Sequence, residues 1–460
     1  MRTKALIVAL SCLLCILSPV DGPTEARDRP QQVPASPAQV EDRDEGLSTP
    51  GGIEAQWGAH VKFQGTASRP GERSLFQSLD TGDLYDGYVE TRLRNKVLFG
   101  DLASLETHYE AVLANGDTRR SRNTLRRLIP GTSQFAPVAD LTPTDDRRLL
   151  DLSATIDEGN GHVLYHRLDR LVLSLQPTWG VVRIGRQAAT WGNGLLFNPL
   201  DLFNPFSPTD IERDYKQGDD MASLQIPFAR QGDIQLLYVP RRDPISEHVT
   251  RDCSSLAGKI HLGSGTTEYD FLAARHYDDT VIGLGSVGYV GGAAWRLDGT
   301  WTFLGHGETG GYLALVTNID YSWVWLEKNL YGFVEFYFNG LCHDRYAEAL
   351  ANRNIVARLD RGELHTLGRT YLSGHIRIEL HPLVNIYLTV IDNLEDPSGL
   401  VQPRVTWDAT QNVEITLGGN IAYGSRGTEY GGFDIPVTPF TTINSRSPDS
   451  VFLQLAYFFP

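Results

Sequence analysis

Between Tyr371 and Val390 the chain reads YLSGHIRIELHPLVNIYLTV, and the period of its hydrophobicity is two. Leu372, Ile376, Ile378 and Leu380 fall on one face of an extended chain, with Tyr371, Ser373, His375, Arg377 and Glu379 on the other. Past a tight His381-Pro382 connection, Val384, Ile386, Leu388 and Val390 oppose Asn385, Tyr387 and Thr389. Side chains along a strand alternate between the faces of a sheet, so this stretch predicts two strands with one apolar and one polar face.

The pattern continues in both directions. Tyr85, Val89, Leu93 and Val97 alternate with Asp86, Tyr88, Glu90, Arg92, Arg94 and Lys96. Val413, Ile415, Leu417, Ile421 and Tyr423 oppose Glu414, Thr416, Gly418 and Asn420; the last segment sets Val451, Leu453, Leu455, Tyr457 and Phe459 against Phe452, Gln454, Ala456 and Phe458. A soluble sandwich also has half-buried strands, but they run about 5–6 residues. Alternation over about nine residues or more suits a tilted strand that crosses a bilayer.

Such segments fall near 53–63, 84–98, 102–113, 162–175, 178–188, 219–229, 232–241, 253–263, 267–277, 280–290, 293–304, 312–326, 331–342, 369–380, 383–393, 399–408, 411–424 and 449–459. Even-numbered segments are followed by tight connections such as Phe99-Gly100-Asp101, Gly291-Gly292 and His381-Pro382. Most of the longer connections, including 64–83, 114–161, 189–218, 343–368 and 425–448, follow odd-numbered ones. Short turns on one side of a membrane and long loops on the other produce this rhythm, and closure removes strand edges that lipid cannot tolerate. The expected fold is all-β: a single transmembrane antiparallel β-barrel of about 18 strands, with short periplasmic turns and long outer loops. The segments at 219–229 and 253–263 alternate poorly, and merging or splitting them gives the alternative of 16.

Composition agrees with this class. The 460 residues include 45 Gly, 19 Tyr, 18 Phe and 8 Trp, and 41 basic against 56 acidic side chains leave 41 − 56 = −15. That balance argues against a basic surface for nucleic acid. The mean hydropathy of −0.24 and the lack of long apolar runs exclude a helical membrane bundle, whose spans need about 20 apolar residues each.

Arg2 and Lys4 precede the apolar run Ala5–Leu17, the pattern of a secretory signal peptide over 1–22, with cleavage expected at 22–26. Residues 23–52 are rich in Pro and charge and read as a flexible periplasmic leader; the barrel then occupies 53–460. Cys253 and Cys342 are the cysteines of the exported chain, which match no metal spacing and make no disulfide framework.

If the apolar face meets lipid, the polar face lines the lumen. The candidate pore-lining residues are Glu90, Arg92, Arg94, Lys96, Glu106, Glu110, Glu335, Arg377 and Glu379. Charges lining an aqueous pore bias permeation by their fields, whereas charges paired across a plugged lumen stabilise the barrel. Arg92, Arg94 and Lys96 form a row of like charge, with Glu106 and Glu110 on the next strand as counterions.

The most distinctive stretch is Arg183-Ile184-Gly185-Arg186-Gln187, followed by Trp191-Gly192-Asn193-Gly194-Leu195-Leu196-Phe197-Asn198-Pro199-Leu200-Asp201-Leu202-Phe203-Asn204-Pro205-Phe206. Asn-Pro pairs start turns and restrict the preceding residue, so 189–218 reads as an ordered, aromatic-rich loop. Trp191, Asn193, Phe197, Asn198, Asp201, Phe203, Asn204 and Asp210 are its candidate functional residues. Three placements are open: folded inward as a constriction, packed over the outer mouth as a cap, or presented to a partner. Asp210, Glu212, Arg213, Asp214 and Lys216 follow it and could form a polar eyelet.

With its export signal, loop rhythm and aromatic last strand, the chain resembles Gram-negative outer-membrane β-barrel proteins of the porin-like kind. The Gly-Arg-Gln, Trp-Gly-Asn-Gly and Phe-Asn-Pro-x-Asp-x-Phe-Asn-Pro elements resemble a stretch in poorly characterised members of that group. The likeness extends over 53–460 and its specific motif over 183–206. It implies the bacterial outer membrane, contact with lipid and lipopolysaccharide, insertion by the barrel-assembly machinery, and passive or facilitated passage of small polar solutes. The terminal Pro460 departs from the group's usual aromatic end.

Two other classes stand beside a channel. A scaffold or sheath for a protein partner, including an electron-transfer conduit, would use the same barrel; no haem-attachment motif is present, so any cofactor would be the partner's. An outer-membrane hydrolase would need a nucleophile beside His276 or His343, and no Gly-x-Ser-x-Gly signals one. No catalytic residue, metal site or cofactor is assigned, and Asp201 with Asp210, or Asp278 with Asp279, fits no recognised calcium loop.

Overall fold

Every alternating segment becomes a strand. The chain builds β1 (Ile53–Arg69), β2 (Leu84–Phe99), β3 (Ala103–Gly116), β4 (Ser153–Glu158), β5 (His162–Leu175), β6 (Val181–Gln187) and β7 (Asp219–Phe228). It continues with β8 (Gly232–Val239), β9 (Ser255–Ser264), β10 (Thr267–His276), β11 (Asp279–Val290), β12 (Ala293–Phe303), β13 (Tyr312–Trp325) and β14 (Lys328–Asn339). The last group is β15 (Thr370–His381), β16 (Val384–Asn393), β17 (Ser398–Thr410), β18 (Val413–Tyr423), β19 (Asp434–Thr438), β20 (Thr441–Asn444) and β21 (Asp449–Phe459). The computed structural model describes residues 52–71, 74, 77, 82–128, 142–210, 215–228, 231–306, 310–438 and 441–459. The signal peptide and nearly all of the leader fall on 1–51, outside the described residues.

Strands pair antiparallel in chain order, except that β3 passes over β4 to pair with β5 and β18 passes over β19 and β20 to pair with β21, and β21 pairs with β1 from Ala59↔Phe459 to Arg69↔Asp449, which closes the ring. Nineteen strands share this sheet. One of them, β4, pairs with β5 alone, through Ser153↔Arg167 to Glu158↔Val163. It completes the edge of β5 beyond the short β6, which reaches only Leu171 to Leu175. The remaining 18 form the closed barrel, and both segments with weak alternation are among them. Nothing in the period of the sequence signals β4, the loop hairpin β19–β20, or the helices α1 (Asp117–Leu128), α2 (Tyr346–Ala349) and α3 (Arg353–Asp360), all of which lie in long connections.

Outward and inward faces are those of the alternation. Leu453 is 55% exposed and its neighbour Phe452 1%; Leu93 is 47% exposed and Arg92 1%. An apolar side chain facing out round a closed barrel is matched to hydrocarbon, where a charge would cost about 2–4 kcal/mol at the midplane. No helix among the described residues is long and apolar enough to cross a membrane. This is the architecture of an outer-membrane β-barrel. Cys253 and Cys342 are both free thiols, so closure rests on the hydrogen-bonded ring alone.

Gly185 shows how tightly the ring is drawn where β6 is short. Its φ is +125°, and a Cβ there would lie 2.0 Å from the Leu171 carbonyl oxygen. Gly185→Ala is therefore expected to cost several kcal/mol, about 1–3 of it from the backbone conformation alone. The check is heat-modifiable gel migration after refolding. A variant that folds in wild-type yield would show that the β5–β6 contact yields.

Candidate functional site: the lumen and the segment that crosses it

Segment 188–218 joins β6 to β7. Its first turn carries Gly192 at φ +89°, where a Cβ would meet Asn198 Oδ1 at 2.1 Å; at Gly194 a Cβ would meet the Phe197 carbonyl oxygen at 1.8 Å. Only glycine permits this fold of the Trp-Gly-Asn-Gly element. The turn aims backbone N–H groups at two carboxylates of the inner wall. Asn193 donates its N–H and side-chain amide to Asp298 on β12, at 2.5 and 2.9 Å. Leu195, Leu196 and Phe197 donate their N–H groups to Glu335 on β14, at 2.7, 3.1 and 2.8 Å. Asn318 on β13 adds a fourth bond to Glu335, at 3.0 Å.

Apolar packing then holds the segment on two arcs of the wall. Phe197 stacks on Tyr337, with centroids 4.3 Å apart, in a cluster with Tyr371, Ile391 and Leu400. Trp191, Leu200 and Phe203 pack with Met221, Leu237, Leu272 and Val281. Leu200 occupies a notch on β11 that exists because Gly283 and Gly285 have no side chains; a Cβ on either would lie 2.4 or 2.9 Å from it. Trp191 Nε1 donates to Gln235 at 2.7 Å, and Asn198 returns its amide to the Trp191 carbonyl at 3.0 Å. Asn204, at φ 52°, makes the second Asn-Pro turn.

Farther along, Gln402 on β17 donates to the Thr209 carbonyl at 2.8 Å. Asp210 closes a turn on Ser207, its N–H bonding the Ser207 carbonyl at 3.1 Å. Glu212, Arg213 and Asp214 lie outside the described residues. Tyr215 then stacks on His60 of β1 and lies under the Arg92 guanidinium of β2, 5.8 and 4.2 Å from the ring centroid. Lys216 returns to the start of the segment, donating to Asp201 at 2.5 Å and to the Ala189 carbonyl. Burial pushes the Asp201 carboxyl up and the Lys216 ammonium down, while their mutual attraction opposes both shifts.

The candidate pore-lining residues separate into three places. Around β1, β2, β3 and β5, Arg92 binds Glu110 at 3.2 Å and Asp169 at 2.5 Å; Arg167 binds Glu110 at 2.9 Å and Arg170 binds Asp169 at 2.8 Å. Glu90 accepts from Tyr88 at 2.6 Å and meets His60 at 3.2 Å, and Glu106 meets His108 at 3.1 Å. Arg94 lies over Gly58, and Lys96 is exposed. Glu335 lies apart from that network, under the crossing segment. Arg377 faces the Tyr331 ring at 5.9 Å, and Glu379 accepts from Asn329 at 3.3 Å. Arg92, Glu110 and Glu335 are thus nearly inaccessible, and Asp169, Arg167, Arg170, Asp298, Gln402 and Tyr215 join the site without having been singled out in the sequence. Inward parity on β12 and β17 is the signal that could have found Asp298 and Gln402; on β5 a bulge opposite His108–Tyr109 buries the consecutive Asp169 and Arg170 together, which parity does not foresee, and nothing local marks Tyr215.

The β14–β15 connection forms a second cluster. His276, at the end of β10, meets Ser255 Oγ through Nδ1 and Glu363 through Nε2, each at 3.0 Å. Ser255 also accepts a 2.7 Å bond from Arg241 and is 1% exposed. A buried hydroxyl tied to a guanidinium is poorly placed to attack a substrate, and the imidazole presents to it the opposite nitrogen from a Ser-His-Asp triad. The contact ties β9, β10 and the loop together. Asp279 takes Arg358 of α3 and the Gly305 N–H, while Tyr277 lies between Arg241 and Arg361. Among the described residues no three His, Cys, Asp or Glu side chains converge as metal ligands.

In sequence, neither a family model nor a curated protein matches the chain. In structure, it is similar to Acinetobacter baumannii OccAB1, with a TM-score of 0.51 and 7% identity over 88% of this chain and 96% of that one. The likeness is one of fold. Pseudomonas aeruginosa OccK8 (OprE) aligns with a TM-score of 0.49 at 7% identity, and a BenF-like porin from Pseudomonas fluorescens Pf-5 with 0.48 at 9%; each covers 88% of this chain and 98% of its own.

The Glu363 carboxyl makes the loop cluster sensitive to acid. Burial opposes its charged form, but His276, Arg361 and Arg358 outweigh burial and hold the carboxyl down at about 2. A carboxyl held below its unfolded value of about 4.3 contributes stability that is complete above that value and lost as pH falls through the folded one. Loop 340–369 is expected to loosen between about pH 4 and 2 and recover on neutralisation. Pepsin cleavage within 350–366, followed down that range, is the measurement; protection that persists to pH 2 would refute it.

Proposed function

We propose that the chain is a passive channel of the outer membrane for small hydrophilic solutes or ions, with segment 188–218 as its constriction. The observation that carries this reading is the path of the segment: anchored at both ends near β5–β7, it reaches Asp298, Glu335 and Gln402 on the opposite arcs. A strap hydrogen-bonded to inward carboxylates narrows a pore without closing the ring, and the wall charges beside it set the local field. Lipid and lipopolysaccharide on the apolar band and insertion by the barrel-assembly machinery belong to the same proposal. Its short turns then face the periplasm, with both ends of the barrel chain.

A second reading, a sealed barrel that serves as scaffold for a protein partner, draws on the two apolar clusters packed inside the wall. Planar-bilayer recording separates the two. A channel gives stepwise conductance from purified protein. A membrane that stays sealed at all voltages with inserted barrel present defeats the channel reading, and a stoichiometric partner retained through mild detergent extraction would then favour the scaffold.

A further inference from the structure

Register across four neighbouring strands sets Tyr331 of β14 opposite Arg377 of β15, then Tyr387 of β16, then Arg404 of β17. All four share the inward face, so rings and guanidiniums alternate along one row of the wall. Arg377 lies over the Tyr331 ring and Arg404 over the Tyr387 ring, 5.9 and 4.4 Å from the centroids. Beside this row Phe333 stacks on His375, with centroids 5.1 Å apart, and His375 Nδ1 meets Thr389 Oγ1 at 2.8 Å. The row begins where cover by segment 188–218 ends. Glu335 and Gln402, which the segment binds, are each 1% exposed. Tyr331, Arg377, Tyr387 and Arg404 are only half-buried.

The charges around the row nearly cancel. Apart from Asp298 and Glu335, which the segment takes, the inward charges on β12–β18 are Arg296, Arg377 and Arg404 against Asp320, Glu379, Asp408 and Glu414, or 3 − 4 = −1. Arg296 pairs with Asp320, Glu379 accepts from Asn329 at 3.3 Å, and Glu414 accepts from Thr416 at 3.3 Å. The Arg377 Nε is shielded from solvent and donates to no acceptor among the described residues. In the next row toward the short turns, Glu379 faces Asn385 across the β15–β16 register.

We infer that this row is a binding site for a neutral sugar. An ion of either sign gains little from a surface whose charges nearly cancel, whereas a polyhydroxyl solute uses donors and acceptors together. The guanidiniums offer planar, paired donors to neighbouring hydroxyls, and Glu379 and Asn385 supply acceptors. The negative faces of Tyr331 and Tyr387 suit the polarised C–H face of a pyranose ring. The inference deepens the channel reading and rests on it for the sugar's passage.

The probe is methyl β-glucoside, with sorbitol as an open-chain polyol and glucuronate as an anion on the same ring. Binding is followed by saturation-transfer NMR on the full chain, folded in nanodiscs. Wild-type protein is expected to bind the glucoside saturably and sorbitol at least about fivefold more weakly. Tyr331→Leu keeps an apolar side chain but removes the ring, and should weaken glucoside binding by a similar factor. Equal binding of glucoside and sorbitol, or undiminished glucoside binding by folded Tyr331→Leu, overturns the inference. Glucuronate bound about tenfold more tightly than the glucoside overturns it too, since Arg377 would then mark an anion site. Should Tyr331→Leu fail to fold, the three wild-type titrations decide by themselves. Bilayer conductance separates the two readings: a conducting barrel that binds no glucoside ends this inference alone, and a barrel that binds it without conducting ends the channel reading alone.

Discussion

Replacing Glu335 by leucine is expected to release the first half of segment 188–218 and raise single-channel conductance several-fold. The carboxylate accepts three consecutive N–H groups, from Leu195, Leu196 and Phe197, with Asn318 as fourth donor, and is 1% exposed. Leucine has nearly the same bulk but accepts nothing. Each buried N–H left without a partner costs about 1–3 kcal/mol, more than the stacking of Phe197 on Tyr337 supplies, at about 0.5–1.5 kcal/mol beyond burial. The turn should therefore leave the wall while the β13–β14–β15 ladder, whose backbone pairing is untouched, stays closed. Amide exchange at 193–200 gives a readout independent of conductance. Wild-type conductance together with wild-type exchange protection would show that the apolar clusters hold the segment unaided. Glu335→Gln, which keeps one acceptor oxygen, should fall between the two.

Arg92→Leu should act on stability more than on the pore. Three guanidiniums, Arg92, Arg167 and Arg170, face two carboxylates, Glu110 and Asp169, in a network nearly closed to solvent. Arg92 bridges the two carboxylates and also covers the Tyr215 ring at 4.2 Å. Removing one partner of a buried ion pair costs about 3–5 kcal/mol, because the remaining charges lose compensation they cannot recover from water. The denaturant midpoint of the barrel in lipid vesicles is expected to fall accordingly. Loss of one positive charge beside the segment should also move the reversal potential in a salt gradient toward cations. Arg92→Lys keeps the charge without the two-pronged donor, so it should restore the reversal potential but only part of the midpoint. An unchanged midpoint in Arg92→Leu would mean that Arg167 and Arg170 suffice to hold both acids.

Much of this barrel is legible in the order of residues because its rule is local. A strand between lipid and a polar interior must alternate, and a residue's side of the wall follows from its parity. Leu453 and Phe452, or Leu93 and Arg92, can be assigned without knowing any partner strand. Adjacent counterions are legible for the same reason: Arg92 and Glu110 face each other in the β2–β3 register, as do Lys96 and Glu106.

Parity says nothing of what meets across the lumen. Glu335 and Leu195 are 140 positions apart, and their contact depends on ring curvature and on how far a loop of this length reaches. Asp169 reaches Arg92 over 77 positions because β3 pairs directly with β5. Gly283 and Gly285 look like ordinary strand glycines until Leu200 is seen seated between them. The chain by itself thus determined a membrane-spanning ring of about 18 strands, with 16 left open, and which face of each strand is apolar, since these depend on neighbours in sequence and on solvent. Which inward carboxylates hold segment 188–218, and which charges are buried in pairs, followed from closure of the ring, because closure alone brings residues distant in sequence within hydrogen-bonding reach.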